Sequence, residues 1–171
     1  KRLLILFASR HSGAIPVGGD IGAHSFGAPD VLYEDNPTGG GERQIVYQVV
    51  IPGGETAQTI TFNHSDVDNT VAVYELASAM QIRETDNAAP DLTTTVGAVS
   101  GGAAFWMGRS AGSVDFVSSA SLVAHKDNPG ANSKWAFAHA LGVADGSVSV
   151  AHANQANSNA RVTLISLEPA P

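Results

Sequence analysis

The chain has 171 residues, of which 43% are hydrophobic and 15% charged, with a formal net charge of −7 and no cysteine. That apolar content supports a packed core and excludes wholesale disorder, while the missing thiols exclude disulfides and thiolate metal sites. The nine basic residues are scattered with no basic stripe, and no segment reaches the ~20 apolar residues of a bilayer span, which argues against nucleic-acid binding and membrane insertion.

Lys1-Arg2 is followed by the apolar run Leu3–Ala8, which Ser9-Arg10-His11 interrupts. The run is shorter than a secretory apolar core, so residues 2–8 are read as a buried strand. Residues 9–42 are rich in Gly and Pro, including Gly18-Gly19 and Gly39-Gly40-Gly41, and predict a long irregular region with one short strand near Ile21–Phe26. Neither glycine cluster is followed by a helical pattern or a Lys-Ser/Thr pair, so neither is a phosphate cradle.

From Gln44 the pattern becomes regular. Gln44–Ile51 is a strand closed by the Pro52-Gly53-Gly54 turn, Thr56–Phe62 alternates, and residues 63–69 form a polar turn. In Thr70–Leu76, Val71, Val73 and Glu75 share one face against Ala72, Tyr74 and Leu76. Further strands are predicted at 92–99, 103–107, 114–123, 134–141, 147–152 and 161–167. Lys134–Leu141 has the alanine content of a helix, but Trp135, Phe137 and His139 recur with a period of two, which favours a strand. Short strands separated by turns predict an all-β fold: an antiparallel, jelly-roll-like β-sandwich of about 8–10 strands. Residues 1–43 form an N-terminal strand and extended arm, and residues 44–171 the sandwich core.

Four groups of residues carry candidate chemistry. Gly108-Arg109-Ser110-Ala111-Gly112 matches the G-x-S-x-G nucleophile elbow, followed by Asp115, Asp127 and Asp145 and by His125, His139 and His152. An elbow needs a helix after the serine, whereas Ser113–Val117 continues the alternation, so the match reads as a hairpin turn. The turn Asn63–Asn69 contains His64, Asp66 and Asp68, oxygen-rich enough to make Asp66 and Asp68 a weak Ca²⁺ candidate, but it lacks the glycine and distal glutamate of an EF-hand and is read first as a plain Asx turn. Asp86–Asp91 and Asp30–Asp35 are weaker versions, and Asn63-His64-Ser65 matches the N-glycosylation sequon. The six histidines show no zinc spacing. Trp106 and Trp135 lie within strand patterns and are read first as core-filling residues. Because Phe105 and Trp106 point to opposite faces, Trp106 is also a candidate glycan platform.

Val49–Phe62, Val71–Leu76, Gly101–Phe105 and Arg161–Leu167 together resemble the jelly-roll or Ig-like β-sandwich modules of tailed-bacteriophage structural proteins. The likeness covers roughly residues 44–167 and lies in the pattern of a strand, a Pro-Gly turn, an alternating strand and an apolar strand. It implies a non-enzymatic virion subunit, such as a capsid decoration or tail-associated protein, whose partners are copies of itself and other capsid or tail proteins. It brings no catalytic residue and no cofactor. The alternative on the same scaffold is a carbohydrate-binding module or adhesin head, virion-borne or extracellular, that contacts surface glycans.

Overall fold

The computed structural model describes residues 1–10, 18–35, 42–52, 59–63, 69–88, 93–110, 115–118, 123–127, 134–153 and 161–171. These residues form fifteen β-strands and one 3-10 turn, and every strand pairing is antiparallel. The all-β antiparallel sandwich expected from the alternation is what the chain forms. Among the described residues no helix is long and apolar enough to cross a membrane. The chain divides into two units, Lys1–Ala79 and Met80–Pro171.

In the first unit, β1 (Arg2–Arg10) lies between β5 (Glu42–Val50) and β7 (Asn69–Leu76), with β4 (Val31–Asp35) beyond β5. A second sheet has the order β3-β2-β6, from β3 (His24–Phe26), β2 (Gly19–Ile21) and β6 (Ile60–Phe62). The apolar run in β1 fits its inner position, because Leu4, Ile5, Leu6, Phe7 and Ala8 are buried on both faces of the strand. Ile5 and Phe7, with Ile45, Tyr47 and Val49 of β5, pack against Ile21 and Phe26 and the partly buried Ile60 and Phe62. The two layers meet through aromatic rings: Phe7 stacks on Phe62 at 4.5 Å, and Phe26 meets Tyr47 edge-on at 5.0 Å.

The stretch expected to be irregular between residues 9 and 42 contains three strands and the turn Ala28–Asp30 among its described residues. Gly22, at φ +58°, turns the predicted strand at Ile21–Phe26 back on itself, splitting it into the β2–β3 hairpin. Gly19 is a close-approach position, where a Cβ would lie 2.1 Å from the Thr61 carbonyl oxygen, so Gly18-Gly19 serves strand packing. Whereas the sequence places a boundary near residue 43, the division falls after Ala79, because β1 is held between two later strands.

The second unit contains β8 (Met80–Ala88), β9 (Thr93–Ala98), β10 (Gly102–Ser110), β11 (Asp115–Ser118), β12 (Val123–Asp127), β13 (Lys134–Val143), β14 (Gly146–Ala153) and β15 (Arg161–Pro169). They form a five-stranded sheet, β12-β13-β10-β15-β8, and a three-stranded sheet, β11-β14-β9. The pairings nest: β8 with β15, β9 with β14 and β10 with β13, as in one long hairpin folded across two layers. Ala104, Trp106, Ala138 and Leu164 from the larger sheet pack against Val96, Ala98, Val148 and Val150 from the smaller. Short crossings carry the chain between sheets after β9 and after β13. The Ser100 N–H donates to Asp145 Oδ1 at 2.7 Å, tying those two corners together.

The strand count exceeds the expected 8–10 because several strands are only three to five residues long and because the polar β8 was not foreseen. The single strand expected at 114–123 is two, β11 and β12. Lys134–Leu141 is a strand within β13, as its period of two indicated.

Candidate functional site

Gly108, Arg109 and Ser110 are the last three residues of β10, inside its ladder. Gly108 faces Ala136 and Val162 on the neighbouring strands, Arg109 faces Trp135 and Arg161, and Ser110 faces Lys134. The next described element is a strand, so the strand-to-helix step that poises an elbow serine is replaced by β-ladder up to Ser110; Ala111 and Gly112 lie outside the described residues. The first glycine of the motif has a packing role. A Cβ at Gly108 would lie 2.1 Å from Cη2 of Trp106, whose indole lies across it two residues away on the same strand face.

Trp106 itself is 1% exposed and belongs to the core of the second unit. Its proposed role as a glycan platform is therefore corrected: a ring enclosed by Ala104, Ala138, Leu164 and Val148 presents no face to a sugar. Trp135 lies in β13 opposite Arg109. The Ca²⁺ candidates Asp66 and Asp68, with His64, lie outside the described residues, as do Gly39-Gly40-Gly41 and Asp91. Among the described residues no three His, Asp or Glu side chains are grouped to hold a metal ion. His125, His139 and His152 fall on three different strands, β12, β13 and β14. Burial raises the tyrosine hydroxyls of Tyr47 and Tyr74, the latter to about 12, so neither ionises near neutrality.

What the described surface does show is a set of strand edges treated unequally. An exposed edge offers unpaired backbone groups to another chain, and proteins blunt such edges with short strands, bulges and charges. In the first unit, β3 and β6 are three residues long; β4 pairs through an irregularity between Val31 and Tyr33 and has Glu34 tied to the buried Arg43, whose Nε donates at 2.9 Å. In the second unit, β12 has an irregularity between Ala124 and Lys126, and β11 is four residues long and begins with Asp115.

The β9 edge is closed by side chains of β8, itself a charged edge strand. Asp86 Oδ2 accepts from Thr95 N–H at 2.7 Å and Glu84 Oε2 from Gly97 N–H at 2.5 Å, so two carboxylates occupy backbone donors of β9 that another strand would otherwise take. Gln81 and Arg83 bind Glu168 at 2.8 and 3.0 Å and hold its carboxyl below the ordinary range.

Among the described residues the β7 edge carries none of these devices. It is eight residues long and pairs with β1 without a register shift. On one face it displays Val71 and Val73, 38% and 43% exposed, and its one charged residue, Glu75, is bridged to Lys1 at 3.3 Å. The alternation of 71–76 predicted that Val71, Val73 and Glu75 share a face, and these three are exposed while Ala72, Tyr74 and Leu76 are half-buried. Their position on the last described strand of the sheet is not legible in the sequence, since edge status depends on pairings distant in sequence.

No protein-family model matches the chain, and no curated protein and no solved structure is significantly similar to it.

Proposed function

We propose that the chain is a non-enzymatic structural subunit of the virion type, a capsid decoration or tail-associated protein, that works by protein–protein assembly. The observation that carries this reading is the second unit: eight strands in two sheets with nested pairings, the order a jelly roll follows. Jelly rolls are the frame of many viral capsid and lectin domains. The pattern-level resemblance of residues 44–167 to tailed-phage modules points the same way. So does the low charged fraction, because surface that faces other protein is depleted in charge. Its partners are then copies of itself and neighbouring capsid or tail proteins. The glycan-binding alternative needs a solvent-facing aromatic, Trp106 or Trp135, or a Ca²⁺ near Asp66 and Asp68; of these Trp106 is buried, while Asp66 and Asp68 lie outside the described residues.

Native mass spectrometry and electron microscopy of the purified chain test this reading. A closed ring, fibre or lattice is expected. A monomer that stays single at every concentration and adds to no capsid or tail surface would contradict it.

A further inference from the structure

Every other long described edge is bulged, charged or capped by carboxylates, and the remaining ones are three or four residues long; β7 alone is long, regular and nearly uncharged. We propose that β7 is a self-assembly edge, pairing antiparallel with β7 of a second copy about a two-fold axis and joining two four-stranded sheets into one of eight strands. This rests on the assembly reading above and names its partner and surface.

The sequence of β7 suits a second copy in particular. In a two-fold antiparallel ribbon, each residue meets the one equally far from the centre on the other chain. With the axis at Ala72, Val71 meets Val73 of the second copy on both sides. With the axis at Val73, the two Val73 side chains meet and Val71 lies opposite Glu75. In either register the two Glu75 carboxylates stand at least about 13 Å apart along the ribbon, so no like charges face one another. Val71 and Val73 lie on the face that continues from Ile5 and Phe7 of β1, their direct neighbours in the ladder. Pairing would therefore extend an existing apolar surface across the axis.

The test is sedimentation velocity on the full chain over a wide concentration range, comparing wild type with Val71→Glu/Val73→Glu and with Leu141→Glu. Leu141 is also exposed, at 61%, and lies in the second unit. The double change places carboxylates opposite carboxylates in both registers, so self-association is expected to weaken by about tenfold or more. Circular dichroism should stay unchanged, because both positions already face solvent. Amide exchange along β7 should be slow in the wild-type dimer and fast in the variant, whereas Leu141→Glu should behave as wild type. If wild type associates and the double variant associates equally well, the β7 assignment is overturned while the assembly reading stands. If wild type is monomeric throughout and adds to no capsid or tail surface, both fall.

Discussion

A chain lacking residues 1–10 is expected to lose the fold of its first unit, not merely an appendage. β1 is one of the two inner strands of the four-stranded sheet and the only strand with which β7 pairs among the described residues. Leu4, Ile5, Leu6 and Phe7 are all buried, each contributing about 1.5–3 kcal/mol of transfer free energy, roughly 6–12 kcal/mol together. That equals the net stability of a typical small domain, about 5–15 kcal/mol. Removal would also strip Phe62 of its stacked partner Phe7 and leave the inward backbone groups of β5 and β7 unpaired. Thermal melting by circular dichroism should show loss of cooperative structure, and hydrogen exchange should become fast along β5 and β7. A truncated chain that melted like the full one would mean that the run Leu3–Ala8 is a detachable arm.

The second large effect is expected from the smallest substitution. Gly108→Ala adds one methyl group where Cη2 and Cζ2 of Trp106 already lie 2.1 and 2.4 Å from its position. Either the indole leaves its place among Ala104, Ala138, Leu164, Val96 and Val148, or β10 moves away from β13 and β15. Overpacking a core costs about 1–3 kcal/mol, and emptying a tryptophan site about 3–5 kcal/mol. A loss of about 3 kcal/mol is therefore expected in urea denaturation. The same change in a Trp106→Leu background should cost under about 1 kcal/mol, since the clash has been removed beforehand. Equal costs in both backgrounds would show that Gly108 is needed for something other than room for Trp106.

Much of the fold was legible because local alternation is a direct print of burial. Leu3–Ala8 reads as a buried strand and is one; residues 71–76 alternate exposed and half-buried as their side chains predict; and Trp135–His139 sit in a strand despite their alanines. The failures have physical causes. Met80–Ala88 is rich in Gln, Arg, Glu and Asp, residues poor in β-propensity. It is a strand because it pairs with β15 and because its carboxylates bond to β9, two facts that lie far off in sequence. Residues 9–42 looked irregular because glycine and proline mark turns equally well between short strands and in long loops. The unit boundary was hidden for the same reason as β8: β1 finds its partners more than thirty residues downstream.

The candidate site was less legible. Gly108-Arg109-Ser110 is a local motif whose meaning depends on the strand around it, and the telling signal was already nearby. A tryptophan two residues before a glycine on an alternating strand shares its face, and the glycine there makes room for the ring. The β7 edge left only half a signal, two valines in phase, because a sequence does not state which strand ends a sheet.

The account depends most on β10 continuing as paired ladder through Ser110, between β13 and β15. Cross-strand Hα–Hα nuclear Overhauser contacts measure this directly in the labelled protein. Such contacts are expected at alternate pairs from Ala104–Ala140 to Ser110–Lys134, and from Ala103–Leu167 to Arg109–Arg161. Successive amide–amide contacts of a helix starting at Ser110, with the ladder contacts missing from Gly108 onward, would contradict it.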